Sequence, residues 1–338
     1  MKKICICGGG SLGHVIAGWL SARNHAIVNI LTRRPDKWQK EIFVDTPDGE
    51  ILKGEIDRIS SKPEEVIPEA DIVLLCLPGF MITKQLEAIE PVLQPSTFVG
   101  SVFSSTGFFF EAQSILSENQ PLWGFQRVPF ISRVNEYGKS AHLLGFKNSH
   151  NIAIENVNNK KKVEFGMMIQ DWFERPINIL QNYYEASLTN SNPLLHTARL
   201  YTMFGGVNEG KVYDRMILFY EEWTDAASSL YIKMDEEFFN LLRVLPVSEG
   251  YLPTVLEYYE SHDAKSLTTK LCSIKGFKGI TSPMKQDNSG WIPDFQSRYF
   301  TEDFPYGLRY IWQLAHENYI DCPNIDMVYE WGISKLKK

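Results

Sequence analysis

Ile4-Cys5-Ile6-Cys7-Gly8-Gly9-Gly10-Ser11-Leu12-Gly13-His14-Val15-Ile16-Ala17-Gly18-Trp19-Leu20 runs from a short apolar segment of period-2 character, through glycines, into a helical pattern. Glycine stands at all three defined positions of G-x-G-x-x-G: Gly8, Gly10 and Gly13. Directly after a strand, the three serve a tight turn, close approach of the backbone to a pyrophosphate, and helix–strand packing. A helix opening at Ser11 and Leu12 adds unpaired N–H groups and a dipole suited to phosphate. The stretch predicts a dinucleotide site at Gly8, Gly10, Ser11, Leu12 and Gly13. The alternative is a purely structural turn.

The rest of the chain fits an ordinary enzyme. At 338 residues it exceeds the size of a single core, so two domains are expected. A net charge of −7 gives no basic surface for nucleic acid or anionic lipid. No apolar run approaches the roughly 18 residues of a membrane helix, and strand character begins too early for a signal peptide. Five cysteines without metal-like spacing fit a reducing compartment, which points to the cytoplasm.

Strands and helices alternate through the first half. Ala26–Leu31 closes a βαβ unit, and 42–44 with 50–52 flank Asp48-Gly49 as a hairpin insertion. Asp71–Pro78 reads as a strand buried on both faces, 80–93 as a helix stopped by Pro95, and 97–102 as a strand. Further strands fall at 122–125, 142–146, 151–155 and 177–180, with a helix over 161–173. Beyond about Glu185 apolar residues take helical spacing over 194–203, 212–234, 235–244, 252–260, 306–318 and 325–336. The expected architecture is an α/β Rossmann-type domain with a mainly parallel sheet over 1–186 and an all-α domain over 187–338. A cleft between two such domains is a common substrate site.

The end of the second strand bears on cofactor choice. An NAD site usually has Asp or Glu there for the ribose 2′-hydroxyl. Here Thr32-Arg33-Arg34 follow, and two guanidiniums suit a 2′-phosphate through charge-assisted bonds. NADP is therefore preferred, with NAD as the alternative if the arginines are merely solvated. Leu77-Pro78 follows a central strand where the nicotinamide side is often lined, or else forms a plain Pro-Gly turn with Gly79.

Hydride transfer to a carbonyl needs a proton donor near neutrality, and histidine is suited to that. Of seven histidines, six read as core or solvated residues, with His14 facing a neighbouring loop. His196 differs, because Asn192 as cap and Pro193 at the first position place it one turn inside a helix near the domain seam. The stretch Ser297-Arg298-Tyr299-Phe300-Thr301-Glu302-Asp303-Phe304-Pro305-Tyr306-Gly307-Leu308 is also rich in chemistry. Arg298 suits a carboxylate, and Asp303 suits a histidine N–H. An acidic helix start with an exposed arginine explains the same residues.

Three of these stretches together carry a resemblance: residues 8–13, Asn192-Pro193-Leu194-Leu195-His196, and Arg298 to Leu308. The chain resembles the octopine/nopaline (opine) dehydrogenase family, whose nucleotide domain is similar to those of glycerol-3-phosphate dehydrogenase and ketopantoate reductase. The resemblance implies that His196 is the acid/base residue, that Asp303 pairs with it and that Arg298 holds a keto-acid carboxylate. Gln126, in Gln126-Arg127-Val128-Pro129-Phe130, and Asn192 join Arg298 on the substrate side. Thr197 departs from the proline that often follows the histidine, and Arg33 and Arg34 depart from NAD-using members. The reaction implied is reductive condensation of an amino acid with a 2-oxo acid. Two rivals are a 2-oxo acid reductase without an amine partner and a non-catalytic NADP-binding sensor. No metal role is expected, because no His/Cys/Asp cluster has ligand spacing in the sequence.

Overall fold

The computed structural model describes residues 1–336. The chain divides into two compact units, Met1–Leu188 and Thr189–Lys338. No helix among the described residues is long and apolar enough to cross a membrane.

The first unit is built on one eleven-stranded sheet. Its strands are β1 (Lys3–Cys7), β2 (Ile27–Leu31), β3 (Glu41–Asp45), β4 (Ile51–Ser60), β5 (Ile72–Leu75) and β6 (Phe98–Ser101). These are followed by β7 (Leu122–Phe125), β8 (Phe130–Glu136), β9 (Ser140–Phe146), β10 (His150–Glu155) and β11 (Ile177–Ile179). The spatial order is β11-β10-β7-β6-β5-β1-β2-β4-β3-β9-β8. Parallel pairing dominates, and β1 lies at the centre with β2 and β5 on its two sides. The alternation of β1 is used on both faces: Ile4 and Ile6 join one core cluster, Cys5 and Cys7 the other. Each face is covered by helices, so every side chain of the strand's apolar run is buried.

Helix α1 (Ser11–Ala22) crosses from β1 to β2. It lies close on β3, because a Cβ at Gly18 would fall 2.4 Å from Val44. The expected hairpin insertion is present, and β4 continues beyond it to pair parallel with β2. A second hairpin, β8–β9, adds to the edge at β3. Strand β8 and the helix Phe108–Ile115 are not anticipated by the sequence pattern.

The second unit is helical, with one two-stranded hairpin of Met284–Asp287 and Gly290–Pro293. Its helices include Asn192–Phe204, Asp225–Leu242, Ala264–Ser273, Arg309–Glu317 and Pro323–Leu336. The expectation of helices over 212–234 and 235–244 is corrected to one continuous helix, Asp225–Leu242. Thr224 caps it by accepting from the Ala227 N–H. Asp235 does not break it, because its carboxylate accepts the Val255 N–H at 2.9 Å. Before Thr224 the chain is irregular and pinned by bridges from Tyr213 to Trp291 and from Leu218 to Thr281. Phe219, Tyr220 and Trp223 are buried there without a helical backbone.

Candidate active site

The glycine loop sits between the C-terminal end of β1 and the start of α1. Gly8 has φ +119°, and a Cβ there would fall 2.5 Å from the Cys76 carbonyl oxygen and 2.9 Å from Leu77. A Cβ at Gly13 would fall 2.3 Å from the Gly8 carbonyl oxygen. Both positions therefore require glycine for close backbone approach. At Gly10 the space is open: an added Cβ would meet nothing within 4 Å. No side chain caps α1, so its first-turn N–H groups remain available to an anion. This cradle fits a dinucleotide pyrophosphate. Leu77 lies against Gly8, and Pro78 opens the helix Gly79–Ile89 beside it.

A cluster from the β8–β9 turn closes over the same loop. The Tyr137 hydroxyl stands where a Cβ on Gly9 would come within 2.4 Å, and lies 3.3 Å from Thr32 Oγ1. His14 Nδ1 lies 2.9 Å from the Gly10 carbonyl oxygen, while its Nε2 accepts the Gly138 N–H at 2.7 Å. Those partners require a proton on Nδ1 and none on Nε2. Burial lowers the His14 pKa, which favours this neutral form. His14 thus ties the turn to the loop and faces a neighbouring segment, as expected. Ser11 Oγ adds a bond from the Val134 N–H at 3.1 Å.

Thr32 is buried at the end of β2, and Arg33 and Arg34 are exposed beyond it. The Arg34 guanidinium lies 4.2 Å from the centroid of the Tyr137 ring, a cation–π contact that lays it on that ring. Among the described residues neither arginine forms an ion pair with a carboxylate. A 2′-phosphate is chemically suited to this corner.

In the second unit the structure brings His196 and Asp303 together. His196 Nδ1 donates to Asp303 Oδ2 at 2.8 Å. A carboxylate only accepts, so Nδ1 holds the proton and Nε2 is the accepting nitrogen of the neutral ring. Nε2 meets the hydroxyl of Tyr220 at 2.9 Å. His196 is 9% exposed, and its imidazole packs against Phe219 and Tyr299 at centroid distances of 5.6 and 4.8 Å.

Two packing features position these groups. Asp303 precedes a π-helical turn, Phe304–Leu308, which lies on the start of the helix that carries His196. Gly307 allows that approach, since a Cβ there would fall 2.7 Å from the Pro193 ring. Phe304 anchors the turn from the other side, where Gly332 leaves room for its ring. Tyr220 is held as a plate: Phe277 stacks on it at 4.0 Å, and Trp223 lies nearly parallel at 6.1 Å. Buried Arg199, one turn after His196, grips the carbonyls of Phe219 at 3.2 Å and Glu222 at 2.6 Å. Sequence reasoning missed both Tyr220 and Arg199, because each acts through contacts distant in the chain.

The other anticipated residues are placed as follows. Arg298 is 83% exposed in its side chain, and its guanidinium is engaged by Glu302 through two bonds of 2.9 Å. Asn192 is the first residue of its helix rather than the cap, and Pro193 the second. The Ser191 backbone already turns helically, and Asn190 Oδ1 takes the Asn192 N–H at 3.3 Å. Gln126 belongs to the first unit, where Nε2 donates to the Glu185 carbonyl at 2.9 Å and Oε1 accepts from Asn151 at 2.9 Å. Folding also gathers His316, Cys322 and Asp326, with ligating atoms within 4.8 Å. Asp326 Oδ1 serves as a hub there for Trp312 Nε1 at 2.9 Å and His316 Nε2 at 2.7 Å.

Comparison with known proteins matches both halves. Residues 179–336 match the family model described as NAD/NADP octopine/nopaline dehydrogenase, alpha-helical domain, and residues 4–107 match ketopantoate reductase PanE/ApbA. Tauropine dehydrogenase of Arabella iricolor is 28% identical over 100% of this chain and 92% of its own. Octopine dehydrogenase of Pecten maximus is 25% identical over 99% of this chain and 90% of its own. A solved structure of octopine dehydrogenase with NADH and L-arginine superposes with a TM-score of 0.86 at 25% identity. It covers 100% of this chain and 90% of that one. The resemblance to opine dehydrogenases, with a nucleotide domain similar to ketopantoate reductase, is borne out, as is the Rossmann-type and helical architecture.

Proposed function

We propose that this chain is an NAD(P)-dependent dehydrogenase of opine type. It condenses the amine of an amino acid with a 2-oxo acid and reduces the product, or oxidises such a product in reverse. The observation that carries this reading is the Asp303–His196 hydrogen bond, which commits one imidazole nitrogen and leaves the other for proton exchange. Relatives named for tauropine and octopine, and a neighbour solved with NADH and arginine, support a dinucleotide and an amino-acid partner. The free cysteines suit a cytoplasmic setting.

When bound, the nicotinamide supplies the hydride. The cradle at Gly8, Gly10, Ser11, Leu12 and Gly13 would hold the pyrophosphate, and Leu77 with Pro78 would border the nicotinamide. Thr32, Arg33 and Arg34 favour NADP over NAD, with Arg34 preoriented on Tyr137. Arg298 takes the keto-acid carboxylate in exchange for Glu302, its present bidentate partner. His196, oriented by Asp303, is the source of the proton that the carbonyl oxygen gains as the amine attacks, and it recovers one in the reverse direction. Asn192 joins Arg298 on the substrate side within the second unit, whereas Gln126 has both ends of its amide engaged within the first.

The test is a screen of NADPH oxidation with 2-oxo acids, each with and without a panel of amino acids. Turnover that needs both partners is expected. Turnover with the oxo acid alone would instead identify a simple reductase. No turnover, with dinucleotide binding intact, would identify a sensor.

A further inference from the structure

We infer that Tyr220 carries the proton between His196 and the substrate, so that the acid/base group is a relay of Asp303, His196 and Tyr220 rather than a histidine acting alone. The inference rests on the reaction proposed above and adds the atom that meets the substrate.

Nδ1 of His196 is committed to Asp303, so a proton can enter or leave the imidazole only at Nε2. Nε2 faces the Tyr220 hydroxyl at 2.9 Å. Both residues are buried, His196 at 9% and Tyr220 at 5% exposure. A substrate atom must therefore displace the phenol or exchange protons through it. Displacement is opposed on three sides. Phe277 and Trp223 stack on the ring. Arg199 also holds the backbone carbonyls on either side of it, at Phe219 and Glu222. A buried guanidinium bound to two carbonyls resists movement, because releasing them would leave buried polar groups unpaired.

A phenol is suited to relay because its oxygen accepts while its hydrogen donates. In the reductive direction the amine lone pair forms the new C–N bond and the carbonyl π pair moves onto oxygen. That oxygen takes the Tyr220 hydroxyl proton, and the Tyr220 oxygen takes the proton from His196 Nε2. The imidazolium ends neutral, Tyr220 is neutral before and after, and the positive charge passes to the nitrogen of the new C–N bond. No phenolate forms, which agrees with the burial that raises the pKa of this phenol.

The test compares wild type with Tyr220→Phe, and with fluorotyrosine and difluorotyrosine incorporated at position 220. Tyr220→Phe is expected to lower kcat by about 10²-fold or more, the usual weight of a proton-transfer group. The KM for the oxo acid should stay within about threefold and dinucleotide binding, read by fluorescence, should be unchanged. The His196 Nε2 nitrogen resonance should shift. The fluorinated series keeps the hydroxyl and the stack, so it covers the case in which the phenylalanine variant folds poorly. Its single-turnover rate should change progressively with phenol acidity. A Tyr220→Phe enzyme within threefold of wild type, or faster, would overturn the relay, as would a flat fluorotyrosine series. If the wild type turns over no oxo acid with any amine, the proposed reaction fails and the relay falls with it. If the wild type is active and Tyr220 is dispensable, the relay alone fails.

Discussion

Asp303 Oδ2 lies 2.8 Å from His196 Nδ1 across 107 positions of chain, and this contact sets which nitrogen of the neutral imidazole carries the proton. The two residues reach one another because a π-helical turn packs on the first turn of the histidine's helix, with Gly307 against Pro193. Tautomer, ring orientation and the approach to Tyr220 all depend on that packing.

Replacing Asp303 by Asn keeps the shape and removes the obligatory acceptor. An amide can turn its NH₂ toward Nδ1 and so move the imidazole proton to Nε2. We expect kcat to fall by about 10²–10⁴-fold with dinucleotide affinity unchanged. Kinetics alongside fluorescence titration of the nucleotide checks this. A variant that retains wild-type turnover would remove Asp303 from the mechanism.

Gly307→Ala tests the packing that delivers Asp303. Its Cβ would fall 2.7 Å from a rigid proline ring, so the turn must shift away from Pro193. Overpacking of this kind costs roughly 1–3 kcal/mol. The expected result is a lower unfolding midpoint together with a loss of kcat larger than the fraction unfolded explains. Gly276→Ala, where an added Cβ meets nothing within 4 Å, is the matched control. Equal behaviour of the two variants would refute the argument.

At the other site the two arginines are unequal. Arg34 is laid on Tyr137 at 4.2 Å, whereas among the described residues no aromatic ring supports Arg33 in this way. Charge-assisted bonds to a phosphate contribute about 1.5–3 kcal/mol, or roughly 10–100-fold in affinity. Arg34→Ala should raise the Kd for NADPH by that factor and change the Kd for NADH by less than about threefold. Arg33→Ala should have the smaller effect. Calorimetry with both cofactors decides it, and a wild type that binds NADH more tightly than NADPH would overturn the preference.

What could be read from the chain follows the range of the signals. The strand, glycine loop and helix at residues 3–22 are local, so turn chemistry and periodicity suffice to place them. The helix of His196 is local too, although its start shifts by one residue because the Ser191 backbone already turns helically. Tyr220 lay beyond reach: the 212–224 segment has helical spacing of apolar residues but an irregular backbone held by distant bridges. Tyr137 acts from a hairpin turn whose first strand, β8, carries no clear period. Its bearing on Gly9 and Arg34 exists only once the sheet has brought that turn to the loop.

Acid should destabilise the first unit through its buried histidines. His150 is held in the neutral form with its pKa lowered to about 4, by burial first and then by repulsion from Arg175 and Lys147. His14 is lowered in the same direction by burial. Between pH 6.5 and about 4 the unfolded chain binds more protons at His150 than the folded chain does. Stability from this group is therefore complete above pH 6.5 and is lost as pH falls through that window. One proton of difference corresponds to a slope of at most about 1.4 kcal/mol per pH unit. His150→Phe removes the titration and keeps an aromatic ring against Phe125 and Phe173. Urea unfolding at pH 7 and pH 5 should show a smaller loss in the variant than in wild type. Identical pH dependence would mean that His150 does not remain neutral in the folded chain.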